Sequence, residues 1–421
     1  MLNIKYKHKE SYLLIAGTVV AQLIAIGFQP ILKEIYPVQF FGYFEIYMRV
    51  AAVLSIIMTL KLEYIIYSIH NEKNRRGFLS SLLLFVVLNF LLILLFFYLY
   101  DRFDLPMDKV YDNLIFFAVF SALCMSIFKV TYFFLSKHGQ HLDIVKSRII
   151  KRSTEGFVQT GFGFTSFMSY GLYIGEMLGN ILFFSYAIKR SKVKALISTI
   201  DLKKFVLKLK SNRDLPLKKA TSDIVTMFAD AVVIIALATK FGILSVGYVE
   251  LAFKVLVLPA ALISSAMNPL ILQRVSDAFL SRNSLIMHSI KDIFMIVIGS
   301  AIIFFIAMLL FGEKVFFMVF SYDWIKSYEY IMLLIYPTLF QFIVSPFGEV
   351  LTLIKKIQID AIWKIVKLIA LSLLFLIDFE TAYDLLFTYS IILTSLYFLY
   401  GIIIFKYIYQ EDRNSNLPTA L

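Results

Sequence analysis

Between residues 143 and 165 a helix-length segment carries Arg148, Lys151, Arg152 and Glu155, with Gln159 one turn further on. Arg148, Arg152, Glu155 and Gln159 recur at i, i+4, i+7 and i+11, which gathers them on one face of a helix with Lys151 beside it. Such a wall binds phosphate or carboxylate, which Arg grips through two parallel hydrogen bonds. The segments on either side are long and apolar, and charge inside a bilayer is costly unless it faces water or a partner. Two readings follow: a span whose charged face lines an aqueous cavity, or an amphipathic helix lying on anionic lipid. The loop charges discussed below favour the span. Gly156, Gly161 and Gly163 suit close packing or bending of this segment.

Other charges sit at intramembrane positions. Lys129 lies about two-thirds through the fourth apolar window, Glu176 within the sixth, and Asp223 and Asp230, seven apart, on one face of the seventh. Asp360, Lys364 and Lys367 share a face of the eleventh. Arg148, Lys151, Arg152 and Lys129 are candidate cargo ligands, with Arg49 and Lys254 assisting. Asp223, Asp230 and Glu176 are candidates for coupling to a proton or sodium gradient. Glu45–Arg49 and Glu250–Lys254 also fit plain i, i+4 ion pairs that brace a helix, and Lys61, Glu63 and Lys367 fit snorkelling. Gln22 and Gln29, with Thr18, form a polar stripe on the first window that suits either sugar hydroxyls or helix–helix contact.

Enzyme chemistry is poorly represented. His138 and His141 have a His-x-x-His spacing with no third ligand nearby in the sequence. No phosphate-binding loop pattern occurs, and no bound cofactor is expected. The single cysteine, Cys124, lies in an apolar run and cannot form a disulfide within the chain.

The elements that must position these side chains follow from composition. The 421 residues are 60% hydrophobic and 17% charged, with mean hydropathy +0.80. A water-soluble globule is less apolar and more charged, so lipid must cover much of this surface. About twelve windows of spanning length occur, near 12–35, 41–67, 78–100, 111–136, 143–165, 167–188, 217–239, 244–272, 289–311, 326–353, 358–377 and 382–408. All are expected to be helical, because backbone polar groups in lipid must bond within their own segment. The first window is read as an uncleaved span rather than a signal peptide.

Basic connections alternate with acidic ones. Lys73, Arg75 and Arg76 follow the second window, and a lysine-rich stretch follows the sixth; Asp101, Asp104 and Asp108 follow the third, and Asp378 and Glu380 the eleventh. That alternation fits positive-inside topology with both termini cytoplasmic, and it needs the charged fifth segment to cross. The net charge of +12 reflects this bias, and nucleic acid is not an expected partner because no soluble basic domain is present.

The chain divides into a six-helix lobe over 1–188, a basic cytoplasmic linker over 189–216 and a second six-helix lobe over 217–421. The linker fits a solvated tether, or a docking site for a partner or anionic headgroups. Phe41-Gly42-Tyr43-Phe44-Glu45-Ile46-Tyr47-Met48-Arg49-Val50 parallels Val246-Gly247-Tyr248-Val249-Glu250-Leu251-Ala252-Phe253-Lys254-Val255, each opening the second span of its half. Equivalent placement implies two lobes related by a parallel pseudo-twofold about the membrane normal, an arrangement suited to alternating access around a central cavity.

The residues Gly17-Thr18, Gln29-Pro30-Ile31-Leu32, Tyr36-Pro37 and Phe41-Gly42 resemble the start of bacterial polysaccharide-unit flippases. These are the O-antigen and capsule exporters of the multidrug/oligosaccharidyl-lipid/polysaccharide superfamily. Leu215-Pro216-Leu217, Val246-Gly247-Tyr248 and Leu258-Pro259 extend the resemblance into the second half. It implies a MATE/flippase-like fold, no catalysis, and an undecaprenyl-diphosphate-linked oligosaccharide cargo turned over at the bacterial inner membrane. It also implies ion-coupled antiport, with a glycan polymerase and a chain-length regulator as partners. A multidrug exporter, an exporter of another lipid-linked precursor, and a membrane glycan polymerase or acyltransferase are the alternatives.

Overall fold

The computed structural model describes residues 2–69, 71–102, 109–190, 200–212, 214–281, 285–354 and 356–415. Parts of the basic linker, 191–199 and 213, lie outside them. The described residues form thirteen α-helices and no strand: α1 Leu2–Ile35, α2 Val38–Thr59, α3 Glu72–Arg102, α4 Lys109–Lys137, α5 His141–Gly163, α6 Met168–Arg190, α7 Leu202–Asn212, α8 Asp214–Phe241, α9 Ile243–Ser281, α10 Ile286–Val319, α11 Ile325–Leu353, α12 Ile357–Ser372 and α13 Ala382–Ser415. The twelve apolar windows fall one each on α1–α6 and α8–α13. Eight of these helices are long and apolar enough to cross a membrane on length and composition.

One helix was not foreseen. The connection after α6 was read as a tether, yet Leu202–Asn212 forms α7. Asp201 caps it, accepting a hydrogen bond from the Lys204 amide at 3.0 Å. That amide, with the Lys204 ammonium, holds the Asp201 carboxyl below the usual carboxylate range. Phe205 is buried beside Phe78 and Phe85 of α3, with ring centroids 5.2 and 6.0 Å apart.

Two compact units divide the chain, Met1–Met227 and Phe228–Leu421. In the first, Met58, Ile65, Leu82, Val119, Val130 and Phe205 belong to one buried apolar cluster. Helix α2 ends through Leu60 and Lys61, both in the left-handed region at φ 47° and 57°. Each such non-glycine residue costs about 1–2 kcal/mol. The reversal leads into a 3-10 turn, Leu62–Ser68, and delivers the Lys61 ammonium to Asp223, 2.7 Å away.

In the second unit α11 packs against α9 and α13. It runs on as one helix through Pro337 and Pro346. Trp324 and Phe347 are fully buried. Asp412 near the end of α13 accepts hydrogen bonds from the Ile286 and Met287 amides at 2.7 and 3.0 Å. It thereby satisfies two of the orphan donors at the start of α10.

Candidate functional site

The charged fifth segment is α5, and glycines set its position. A β-carbon at Gly17 of α1 would strike Val145, one at Gly156 would strike Phe28, and one at Gly163 would strike Ile35. Each pair is separated by the same 128 positions, so α1 and α5 run parallel and in register over residues 17–35 and 145–163. At 1.5 Å per residue that shared length is about 27 Å, close to the hydrocarbon thickness of a bilayer. Helix α6 flanks α5 in the opposite sense: Gly179 lies against the Lys151 carbonyl, Gly175 against Glu155 and Gln159, and Gly171 against Phe162. A helix held along its length beside an apolar span is not free to lie flat on headgroups. Helix α5 itself is not among the eight helices apolar enough to cross a membrane; the spanning reading rests on its register with α1, which is one of them.

The cationic side chains occupy the seam where α1 and α6 flank α5. Arg148 donates to Thr18 on α1, and its guanidinium lies 5.3 Å from the ring centre of Tyr132 on α4. Neither partner is charged, and among the described residues Arg148 has no carboxylate. Lys151 donates to Asn180 and lies 3.8 Å from Glu176. Arg152 pairs with Glu155 at 2.8 Å with its side chain 41% exposed, so it keeps donors facing outward. Gln159 is buried and donates to the Leu172 carbonyl at 2.9 Å, while its own carbonyl accepts from Tyr36 at 2.6 Å. Gln159 therefore ties α5 to α6 and α1.

Glu176 is fully buried at the centre of a polar cluster. It accepts from Ser121 of α4 at 2.5 Å and Tyr47 of α2 at 2.9 Å, and from Asn180 one turn along α6. Four helices thus converge on one carboxylate. Sequence reading picked Glu176 and Lys151 separately and missed Asn180, Tyr47 and Ser121. Their one signal is polarity inside apolar windows, which many structural serines and tyrosines share.

The remaining candidates lie apart from this seam. Lys129 donates to Ser55 on α2 at 2.6 Å. Arg49 pairs with Glu45 at 2.7 Å, and Lys254 with Glu250. Both repeat copies therefore hold the i, i+4 ion pair that the sequence allowed. Asp223 binds Lys61, and Asp230 binds Lys367 at 2.6 Å. Lys367 does not snorkel: it is 4% exposed and lies 5.8 and 5.5 Å from the rings of Trp363 and Tyr397. Asp360 bonds Lys364 at 2.7 Å and accepts from Tyr400 at 2.7 Å. On α1, Gln22 lies one turn beyond Thr18, and its side-chain oxygen is buried without a hydrogen-bond donor among the described residues. Gln29 sits two turns further along α1, and Pro30 is accommodated within that helix.

No protein-family model and no curated protein sequence matches the chain. Solved structures do. The lipid II flippase MurJ in an inward closed conformation superposes with a TM-score of 0.74 at 15% identity, covering 96% of this chain and 90% of that one. An inward-facing multidrug resistance MATE family transporter of the MOP superfamily gives 0.68 at 13% identity, covering 96% and 94%. A MOP superfamily transporter from Pyrococcus furiosus, described as having a binding pocket of reversed polarity, gives 0.61 at 14% identity, covering 96% and 98%. With its apolar helices, this chain is a multi-pass membrane protein with the all-α fold shared by MATE and MurJ.

Proposed function

We propose that this protein is a flippase that carries an undecaprenyl-diphosphate-linked oligosaccharide across the bacterial inner membrane. A diphosphate and hydrated sugars cannot enter hydrocarbon unaided, because burying unpaired charge and polar groups costs too much. A cationic seam along a spanning helix can carry the headgroup while the polyprenyl tail stays in lipid. The observation that supports this best is Arg148, held in the α1–α5–α6 seam beside a hydroxyl and an aromatic ring, with no carboxylate partner among the described residues. Arg152 follows one turn on, and the unsatisfied oxygen of Gln22 offers an acceptor to a sugar hydroxyl. Lys151 completes the anion site, and Lys129 and Gln29 of the same unit are further candidate cargo contacts.

Coupling follows from the same cluster. In the resting state Glu176 and Asn180 hold the Lys151 ammonium. Glu176 is a candidate proton or sodium site on its placement, because its carboxylate and a cargo phosphate would compete for Lys151. Asp223 and Asp230 are the other candidate proton or sodium sites. The site opens to one leaflet at a time. A glycan polymerase and a chain-length regulator would act on the product at the periplasmic face. An exporter of cationic drugs is the weaker reading, because an excess of guanidinium repels such cargo.

Deletion of the gene should leave single lipid-linked units accumulated on the cytoplasmic side. Complementation with Arg148→Ala/Arg152→Ala should not restore surface glycan although protein level stays normal. Full restoration rejects the cargo site. Single units displayed outside the cell would instead indicate a polymerase.

A further inference from the structure

Helix α7 and the first turns of α3 enclose a cleft of about 1040 Å³ lined by Lys73, Asn74, Lys203, Lys204, Phe205 and Lys208 among others. Asp201 is the one carboxylate in its lining, and it is already engaged by Lys204 at 3.0 Å. Lys73, Lys203 and Lys208 form no ion pair among the described residues. Four lysines against one carboxylate leave the cleft lining electropositive.

The helix beside it has the make-up of an interfacial element. Phe205 and Leu209, four apart, turn inward to the apolar cluster of the first unit. Leu202 and Val206 lie on the adjoining flank and are 55% and 47% exposed. Lys204 and Lys208 lie on the opposite flank. Lys203 and Lys210 border the apolar flank on its outer side, and exposed apolar side chains edged by lysines are what a helix at the lipid–water boundary requires.

Depth supports the same conclusion. Helix α3 has 31 residues, about 46 Å at 1.5 Å per residue, against roughly 30 Å of hydrocarbon. Its first turns, bearing Lys73, Arg75 and Arg76, must project beyond the hydrocarbon. Phe205 meets α3 at Phe78 and Phe85, and the Asp201 amide donates to Ser81 at 3.3 Å. Helix α7 is thereby fixed to the amino-terminal half of α3, whose first turns carry Lys73, Arg75 and Arg76.

We infer that the α3–α7 cleft binds the phosphodiester headgroup of an anionic glycerophospholipid, with Leu202 and Val206 resting on its acyl chains. Lys73, Lys203 and Lys208 are the headgroup ligands. The site is separate from the α5 seam and does not depend on the cargo that the seam carries.

The test is native mass spectrometry of the full-length protein in detergent with added phosphatidylglycerol, phosphatidylcholine or inorganic phosphate. Phosphatidylglycerol should be retained at least tenfold better than phosphatidylcholine, and inorganic phosphate should not displace it. Each lysine near an anionic surface contributes about a fivefold factor in affinity, so Lys73→Gln/Lys203→Gln/Lys208→Gln should weaken retention by about a hundredfold. The Lys→Arg triple variant should retain the lipid, and Arg148→Ala/Arg152→Ala should retain it fully. Equal retention by wild type and the Gln variant overturns the inference, as does displacement by inorganic phosphate, which would mark a free-anion site. A spin label at Val206→Cys should be more accessible to oxygen than to a water-soluble relaxant; the reverse also overturns it.

Discussion

The Lys151 ammonium lies 3.8 Å from the fully buried Glu176 carboxylate, and Asn180 contacts both: it accepts from Lys151 and donates to Glu176. Lys151 belongs to α5 and Glu176 to α6, and the close approach is possible because Gly175 and Gly179 leave no β-carbon in the helix interface. Tyr47 and Ser121 fill the remaining acceptor positions of the carboxylate, so α2, α4, α5 and α6 are joined at one charge. Breaking a buried charged pair on one side costs far more than the pair contributes, because the other charge is left uncompensated.

Glu176→Ala should therefore lower stability by about 3–5 kcal/mol, read as a large fall in the melting temperature of the purified protein. Glu176→Gln keeps an acceptor for Tyr47 and Ser121 and should melt much closer to wild type. It removes the charge that faces Lys151, so if Glu176 carries the coupling, glycan export should fail in the Gln variant although the protein folds. Wild-type glycan export in Glu176→Gln would remove Glu176 from the coupling step and leave it as a structural hub.

Helix approach in the first unit is set by specific glycines rather than by glycine in general. A β-carbon at Gly175 would lie 3.0 Å from the Glu155 carbonyl and 3.1 Å from the Gln159 amide nitrogen, both backbone atoms of the neighbouring helix. Backbone cannot swing aside, so Gly175→Ala should cost about 1–3 kcal/mol and loosen α5 from α6. Gly161 has nothing within 4 Å of the same position. Gly161→Ala should be neutral or stabilise by up to about 1 kcal/mol through helix propensity. Thermal melts of the two variants, measured side by side, check the contrast.

The long helices could be read from the sequence because lipid imposes a length and a composition on each span. The charges of α5 announced themselves by contrast with their neighbours: Asp143, Lys146, Arg148, Lys151, Arg152 and Glu155 between apolar windows need a physical explanation. Parity of the basic loops favours a crossing α5; on length and composition α5 is not one of the eight spans, and its parallel register with α1 is what remains of that reading. Less could be foreseen at the partners. Lys61 and Lys367 looked like snorkelling lysines, since a window of sequence cannot show that Asp223 and Asp230 approach them from residues more than a hundred positions away. Helix α7 was hidden by its length and polarity. Eleven residues with four lysines give no spanning signal, and only Phe205 and Leu209 betrayed an inward face.

Asp230 and Lys367 differ in exposure, and mutation should reveal it. The Lys367 side chain is 5% exposed, whereas that of Asp230 is 48% exposed. Asp230→Ala leaves a buried ammonium unpaired and should cost about 3–5 kcal/mol. Lys367→Met leaves a carboxylate that reaches water, and its thioether chain can still pack against Trp363 and Tyr397, so the loss should be smaller. Asp230→Ala/Lys367→Met should then recover most of the stability lost in Asp230→Ala. A melting-temperature cycle over the four proteins tests this, and additive losses would mean that the two side chains act independently. If Asp230 also couples ion movement, the rescued double variant should fold normally yet fail to export glycan.

Asp412 closes the amino end of α10 from a different helix. Its two carboxylate oxygens accept from the Ile286 and Met287 amides at 2.7 and 3.0 Å, and the side chain is buried. The positive end of the helix dipole and two otherwise orphaned donors both favour a carboxylate there. Asp412→Ala removes the acceptors and leaves the Ile286 amide, which is also buried, without a partner. The loss should be about 1–2 kcal/mol, as for other helix caps. Asp412→Asn retains one acceptor but not the charge, and should fall between Ala and wild type. Amide exchange at Ile286 and Met287 offers a local readout: protection should drop at these two positions in Asp412→Ala before it changes in the middle of α10. Uniform loss along the whole helix would instead show that α13 holds α10 by packing and that the carboxylate contributes little.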